Sequence, residues 1–286
     1  MKKFFFCILL FLFSILTSSS QTIEIGKNYR LFNENRKGFH PTFNATGNLL
    51  AFTTENYEGL NVYNFSDKSV LKISEEQGAG FQPIFSEDGK IFYKSTVYKS
   101  KLKYEGLKSY DMQQKTVKEV FEPQRTLTPS QKYGKYNKTA HSFVWSDGRN
   151  LNINKHGKTE ALNPIENANG YVWASLSPNG KMILFNAVAV GTFVSDLKGK
   201  IIASLGYLNA PVWYDNVFVV GMQDKDDGNN ITESKIIIKN LTGDITKQLS
   251  ESDRIAMFPT ASSAAKKIAY NTIEGDIYVL ELNIKK

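Results

Sequence analysis

The feature that most constrains this chain is a short phrase that recurs along it. The stretch FSEDGK at 85–90 is matched by LSPNGK at 176–181 and by FNATGN at 43–48. Each copy places a glycine four residues after an aromatic or aliphatic residue, which indicates a tight turn where positive φ would be opposed by a Cβ. Self-similarity at a period of 20–50 residues is typical of repeat architectures. We therefore divide the chain into repeated units.

Six copies of one unit can be aligned on this phrase. Their anchor residues are Phe43, Phe85, Leu127, Leu176, Trp213 and Ala261, spaced 42, 42, 49, 37 and 48 residues apart. Short strands follow each turn, such as NLLAFTT and KIFYKST, and then alternating strands such as LNVYNF and LKSYDM. Four antiparallel strands in roughly 40–45 residues, repeated six times, predict an all-β, six-bladed β-propeller. An isolated blade cannot bury both of its faces, so the blades must stack around an axis.

Closure of this ring is predicted to use the beginning of the propeller. Copy six ends near Leu282 with three strands, whereas the strand-like stretch TIEIGKNYRLF at 22–32 belongs to no copy. We predict that this N-terminal strand completes the last blade and covers its open edge. Residues 21–286 would then form a single propeller domain. Two β-sandwiches would also contain many short strands, but they would not explain one turn recurring near one period.

These repeats resemble those of the TolB-type propeller family, whose WD40-like repeats read aromatic-Ser-Pro-Asp-Gly-Lys at the first turn. LSPNGK and FSEDGK match this pattern, FNATGN matches it in part, and copies three, five and six lack the glycine. Four copies have a proline two residues before the anchor: Pro41, Pro83, Pro211 and Pro259. The resemblance covers about residues 22–284 and implies the propeller fold. Similar repeats occur in peptidase propellers and pectin-fragment lyases, so it does not by itself imply an activity.

The first 20 residues have the pattern of a secretory signal peptide. Basic Lys2 and Lys3 precede an apolar run from Phe4 to Leu16, and small residues follow up to Ser20. The run is shorter than the roughly 20 residues that span a bilayer. We expect cleavage near Ser20, no transmembrane segment, and a bacterial protein that is periplasmic or secreted. The only cysteine, Cys7, lies within this segment, so no lipid anchor or disulfide is expected.

Candidate binding residues come from the position where each copy enters its innermost strand. The aligned residues are His40, Gln82, Gln124, Trp173, Ala210 and Phe258. We predict a contact surface at the mouth of the central channel, formed by His40, Gln82, Trp173 and Phe258 and helped by Tyr171 and Tyr214. The alternative for His40 is an ordinary hydrogen-bonded channel residue. One imidazole does not make a metal site, and His141 and His156 are expected at the surface.

The chain lacks the common sequence motifs of catalytic and cofactor-binding sites. It contains no GxSxG nucleophile elbow, no P-loop and no GxGxxG that opens a helix. We therefore predict no catalytic residue and no cofactor. The stretch DKDDGNN at 224–230 could suggest calcium through Asp224, Asp226 and Asp227. It departs from the EF-hand pattern, and we predict an exposed hairpin between strands two and three of blade five.

Positive charge is concentrated in one sector. The whole chain has a formal net charge of +7, and residues 94–158 alone contain 14 basic and 5 acidic residues. The lysines of interest are Lys94, Lys99, Lys101, Lys103, Lys108, Lys132, Lys135 and Lys138. One interpretation is a patch for an anionic partner, such as lipopolysaccharide, an acidic glycan or an acidic protein. The other is a solvated insertion, since 95–106 reads as a long loop. The export signal disfavours nucleic acid.

Two functions follow from these patterns. The first is an exported, non-catalytic binding protein that contacts a protein or an envelope component through the channel mouth. The alternative is a lyase-like enzyme that processes an acidic polysaccharide and uses the basic sector to neutralise carboxylates. The second function predicts His and carboxylate groups clustered in the channel, where the aligned positions supply His40 alone.

Overall fold

A computed structural model describes residues 21–33, 35–125 and 142–285, and these residues are almost entirely β-strand. The first nine strands are β1 (Thr22–Arg30), β2 (Phe39–Phe43), β3 (Leu49–Thr53), β4 (Glu58–Asn64), β5 (Val70–Gln77), β6 (Ile84–Phe85), β7 (Lys90–Lys99), β8 (Leu102–Asp111) and β9 (Thr116–Gln124). A 3-10 turn at Glu55–Tyr57 joins β3 to β4.

Fourteen further strands follow in the described part of the chain. They are β10 (Ser142–Ser146), β11 (Leu151–Lys155), β12 (Lys158–Ala161), β13 (Tyr171–Leu176), β14 (Met182–Ala187), β15 (Gly191–Asp196), β16 (Ile201–Gly206), β17 (Asn209–Trp213), β18 (Phe218–Asp226), β19 (Ile231–Asn240), β20 (Thr246–Gln248), β21 (Ala256–Ser262), β22 (Lys267–Thr272) and β23 (Ile277–Lys285).

The strands form six antiparallel sheets, which are the blades of a six-bladed β-propeller. Blades one, two, four and five have the orders β2-β3-β4-β5, β6-β7-β8-β9, β13-β14-β15-β16 and β17-β18-β19-β20. Blade three consists of β10-β11-β12 within the described residues, and its predicted anchor Leu127 lies outside them. The predicted fold class is confirmed.

Blade six confirms the predicted closure. Its order is β1-β23-β22-β21, and β1 pairs with β23 from Thr22 opposite Lys285 to Arg30 opposite Tyr278. Ile23 is buried in the core of the blade five–six interface. The Lys247 ammonium donates a hydrogen bond to the Ile23 carbonyl at 2.6 Å. The N-terminal strand is therefore held both by its own ladder and by the neighbouring blade.

The hydrophobic core lies between neighbouring blades. Phe52 of blade one packs with Val279 of blade six, and Leu60 of blade one packs with Ile91 of blade two. Similar clusters join blades three and four, four and five, and five and six. Burying one side chain of this size stabilises a fold by about 1.5–3 kcal/mol. The interfaces, and not the isolated blades, therefore carry the stability, as expected for a repeat architecture.

The tight turns between the first and second strands have the predicted geometry. Gly47, Gly89 and Gly180 have φ of 68°, 76° and 68°. A Cβ on Gly47 would lie 2.4 Å from the Ala265 Cβ on blade six, whereas Gly180 has no neighbour within 4 Å. These turns define one side of the disc, the turn face. The opposite side, where the innermost strands begin, is the mouth face.

Among the residues described, no helix is both long and apolar enough to cross a bilayer. The predicted signal segment, residues 1–20, lies outside the described residues.

Candidate binding site at the channel mouth

The channel mouth is built by a repeated distortion of the innermost strands. Five aligned residues have positive φ: His40 at 50°, Gln82 at 54°, Trp173 at 55°, Ala210 at 43° and Phe258 at 50°. In four blades the pairing of the innermost strand changes register across this residue. A β-bulge of this kind redirects a side chain, and non-glycine residues adopt positive φ only where the surrounding structure holds them. The repeat therefore fixes five side chains at one level of the channel.

One aligned position departs from this arrangement. Gln124 is the last residue of β9, where it pairs with Glu105 in the outer part of blade two. It is therefore not a channel residue. The prediction was wrong because copy three has neither the glycine turn nor the proline before the anchor, at least one of which fixes the alignment in every other copy.

These side chains enclose a cavity of about 360 Å³. Its lining includes His40, Phe81, Gln82, Trp173, Trp213 and Phe258. Backbone and side chains of Pro41, Pro211 and Pro259 complete the wall. His40 is the one ionisable side chain among the described residues of this lining. The cavity is therefore mainly apolar, with Gln82, the His40 imidazole, Thr42 and Thr260 among its polar residues.

His40 stands at the centre of an aromatic cluster. Its ring stacks on Tyr57 at 5.1 Å between centroids, meets Phe81 edge-on at 5.0 Å and lies 4.1 Å from Phe258. The His40 backbone N–H donates to the Asn271 Oδ1 at 3.0 Å, which ties blade one to blade six. Burial lowers the pKa of His40 to about 4. The imidazole is therefore neutral at pH 7 and behaves as a flat ring with one donor and one acceptor.

Sequence reasoning missed two members of this cluster, Tyr57 and Phe81. Phe81 directly precedes the ring residue in GFQP, as Phe39 does in GFHP, and this shared aromatic was the available signal. Tyr57 ends the short turn between β3 and β4, has φ of 59° and is 48% exposed. No feature of its local sequence marks it, because its position depends on how that turn folds back over the mouth.

The mouth continues into two grooves on the same face. A groove of about 370 Å³ between blades one and six is lined by His40, Tyr57 and Phe258 together with Glu55 and Met257. A second groove of about 370 Å³, between blades one and two, is lined by Tyr57, Phe81, Tyr98, Lys94 and Lys103. Each of the three concavities is lined by two or three members of the aromatic cluster. Together they form a trough that crosses blade one.

The other two predicted contact residues lie in the core. Tyr171 is 2% exposed, and its hydroxyl accepts from the Ile165 N–H and donates to the Ile165 carbonyl, both at 3.0 Å. Tyr214 is 6% exposed and packs in the blade five–six core, where burial raises its pKa. Neither side chain lines the mouth cavity, so both serve packing.

The basic sector is more ordered than a loop. Residues 95–106, predicted as a long loop, belong to a regular hairpin in which Lys99 pairs with Leu102. Ser100 and Lys101 at its tip both have positive φ, as a type I′ turn requires. Lys108 forms an ion pair with Glu76 of blade one, and Lys103 lies 2.9 Å from Glu105. The expected loop was wrong because a Ser-Lys tip carries none of the usual hairpin turn signals.

Aromatic rings accompany two further lysines of this sector. The Lys94 ammonium lies 5.2 Å from the Phe81 ring centre, and the Lys99 ammonium lies 5.5 Å from that of Tyr104. Contacts of this kind hold a cation over a ring face. Lys132, Lys135 and Lys138 lie outside the described residues.

The acidic stretch of blade five forms the predicted exposed hairpin, with Asp226 paired to Ile231. Asp227 accepts from the N–H groups of Asn229 and Asn230, and these backbone bonds lower its pKa. Asp226 accepts from the Gly228 N–H at 2.9 Å. Each carboxylate is thus used by its own turn. In the described part of the chain, no three His, Cys, Asp or Glu side chains are grouped so that they could hold a metal ion.

Asp224 is engaged at the base of the same hairpin, where it accepts from the Asn209 side-chain amide at 2.9 Å and the Tyr207 hydroxyl at 3.2 Å. His156 is exposed in the turn between β11 and β12, as expected, and His141 lies outside the described residues.

Solved structures of several differently described proteins have a fold similar to that of this chain. A putative TolB from Agrobacterium tumefaciens has a TM-score of 0.56 and 14% identity, with 93% of this chain and 99% of that chain covered. Oligogalacturonate lyase from Vibrio parahaemolyticus has a TM-score of 0.55 and 12% identity, with 92% and 97% covered. The calcium-binding protein regucalcin from Agrobacterium tumefaciens has a TM-score of 0.54 and 11% identity, with 90% and 94% covered.

No protein-family model matches the sequence, and no curated protein matches it. At these identities the structural likeness shows the fold, and function has to be argued from the site. The chain is a six-bladed propeller similar in fold to the putative TolB, the lyase and regucalcin.

Proposed function

We propose that this protein is an exported binding protein that contacts a protein or an envelope component through the channel mouth. The observation that carries the proposal is the aromatic cluster of His40, Tyr57, Phe81 and Phe258, of which all but Tyr57 line one cavity together with Trp173. A concave, largely apolar site with a few polar groups is the usual form of a binding pocket.

Exposure of the large side chains supports a role in contact. Trp173 is 37% exposed and Tyr57 is 48% exposed, although both lie beside apolar neighbours that could have buried them. Tyr and Trp are enriched among the residues that dominate binding energy. Gln82, which is exposed beside them, can fix orientation through its amide. We therefore assign binding to His40, Gln82, Trp173 and Phe258, with Tyr57 and Phe81 added.

The backbone around the mouth supports the same role. All five ring residues are held at positive φ, and four of them lie on bulged innermost strands; Gln82 lies two residues before its strand. Side chains held in this way lose little freedom on binding, so less of the interaction energy is spent on ordering them. A lyase would need a base and an acid within reach of the substrate. The described cavity lining contributes His40 alone, which favours binding over the enzymatic alternative.

The proposal is tested by capture from a native envelope extract with the tagged mature chain. His40→Ala combined with Trp173→Ala should abolish capture of the specific partner, because it removes both walls of the mouth. Tyr29→Ala is a matched control, since Tyr29 is also 37% exposed but lies on the outermost strand of blade six. The control should capture the partner as the wild type does, and all three proteins should melt at similar temperatures.

Equal capture by the double variant and the wild type would remove the channel mouth from consideration. A salt titration separates the two candidate surfaces. Contacts made by the apolar mouth persist at high salt, whereas contacts made by exposed lysines are screened within about 8 Å at physiological ionic strength and weaken further above it.

A further inference from the structure

Two hairpins extend above the mouth face to similar heights. Thr53 and Ser95, each ten residues after its anchor, are both buried at the level of the mouth. Beyond Ser95, four more residue pairs extend the β7–β8 hairpin, from Thr96 opposite Glu105 to Lys99 opposite Leu102. In blade five, Gln223 is ten residues after its anchor, and three more pairs extend β18–β19 beyond it, from Asp224 opposite Ser234 to Asp226 opposite Ile231. At about 3.3 Å per residue, the paired part rises roughly 13 Å in blade two and roughly 10 Å in blade five.

These two hairpins carry opposite charge. The basic arm, residues 96–105, contains three lysines and one glutamate. The acidic arm, residues 223–235, contains four acidic residues and two lysines. Their formal charges are therefore equal in size and opposite in sign.

The arms also stand on opposite sides of the mouth. Shared cores join blades two to one, one to six, six to five, five to four and four to three. Blades two and five are thus three places apart in a ring of six. A line drawn from the basic arm to the acidic arm crosses the channel mouth.

We propose that the mouth face pairs with the mouth face of a second copy of this chain, with each basic arm against the other copy's acidic arm. A two-fold axis between the two discs, perpendicular to the line joining the arms, makes both contacts at once. Such an interface is isologous, because the same patch is used on both copies. A second copy is the partner that carries both charges at the matching positions and spacing.

Exposed apolar side chains at the arms add to the charge contacts. Tyr98 is 60% exposed and Leu102 is 47% exposed near the tip of the basic arm, and Tyr207, 52% exposed, bonds to Asp224 at the base of the acidic arm. Exposed ion pairs alone contribute about 0–1 kcal/mol each, so this apolar area is needed for a stable contact. The arms also act as spacers that leave the two mouths facing one shared space.

The test is sedimentation velocity of the mature chain over a range of concentrations and salt. We expect a dimer at low salt that dissociates as salt rises, because the arm charges are exposed. Lys99→Glu with Lys101→Glu makes both arms acidic, and Asp226→Lys with Glu233→Lys makes both arms basic. Each variant alone should be monomeric. An equimolar mixture of the two should restore the dimer, which also shows that both variants fold.

Lys181→Glu with Lys198→Glu is the matched control. Both lysines are exposed at turns of the turn face, and the same change of charge there should leave the dimer intact. A wild-type chain that stays monomeric at low salt and high concentration would overturn the proposal. A dimer that persists in both charge-reversal variants would overturn the proposal as well. Because the measurement needs no ligand, the absence of a dimer would not contradict the binding role proposed for the mouth.

Discussion

The two faces of the disc use the same repeat in different ways. On the turn face, the copies with a glycine at the turn present nearly the same backbone, with Gly47, Gly89 and Gly180 at φ of 68°, 76° and 68°. On the mouth face, five copies share a backbone at positive φ but carry His, Gln, Trp, Ala and Phe. On the turn face, glycine adopts positive φ without steric strain. On the mouth face, other residues adopt positive φ despite the strain, and five different side chains are placed there. Strain that is retained in this way is typical of functional sites.

The largest effect is expected on the turn face at Gly47. Gly47→Ala should lower the free energy of unfolding by about 2–5 kcal/mol, because overpacking costs about 1–3 kcal/mol and positive φ adds about 1–2 kcal/mol. The new Cβ would meet the Ala265 Cβ at 2.4 Å and the Ser262 Oγ at 2.6 Å. Urea unfolding followed by circular dichroism measures the change.

Gly180→Ala is the matched control for Gly47→Ala. Gly180 has the same φ of 68° but no neighbour within 4 Å. Its cost should therefore be about 1–2 kcal/mol, the conformational part alone. Equal losses for the two variants would show that contact with blade six contributes nothing at Gly47.

A smaller effect is expected from protonation of His40 on the mouth face. Its pKa is lowered from 6.5 to about 4 by burial, so the unfolded chain binds a proton more readily than the folded one. Stability from this residue is complete above pH 6.5 and is lost as the pH falls from 6.5 to about 4, by on the order of 2 kcal/mol. Unfolding curves across this range should show the loss.

His40→Gln should flatten that part of the pH dependence while keeping a polar side chain at the mouth. An unchanged pH profile in this variant would mean that other groups cause the loss. The same titration on Tyr29→Ala should match the wild type.

The smallest effect is expected from Ala210→Gly, the reverse of the change at Gly180. Glycine relieves the strain of φ at 43° but increases the freedom of the unfolded chain, and these contributions nearly cancel. The free energy of unfolding should stay within about 0.5 kcal/mol of the wild type. A loss of several times that amount would mean that the backbone at the mouth is not strained.

The sequence predicted the parts of the molecule that depend on backbone rules. Gly47, Gly89 and Gly180 marked the turns, the anchors set the blades, and the unassigned stretch at 22–32 pointed to the closing strand. These features could be predicted because a glycine turn or an unpaired edge has few structural solutions. Blade three was the weakest part because its copy lacks both that glycine and the proline two residues before the anchor.

The composition of the mouth was harder to predict. Tyr171 was predicted to help form the contact surface, but it is buried, and the pairing of its strand changes register between Val172 and Ser175. Tyr57 and Phe81 reach the mouth from connecting segments whose course depends on tertiary packing. Individual side chains at a bulge therefore need the structure, even where the bulge itself repeats in the sequence.

The strand that closes the ring also determines how the protein would respond to mechanical force. Thr22 lies directly opposite Lys285, because β1 and β23 run antiparallel from that pair. Force applied to these two residues would open the ladder like a zipper, one pair after another, and would not shear many pairs at once. A partner that pulled on Thr22 and Lys285 would detach β1 first and expose the edge of blade six. The strand that completes the ring is therefore also the first part of the propeller to unfold under force.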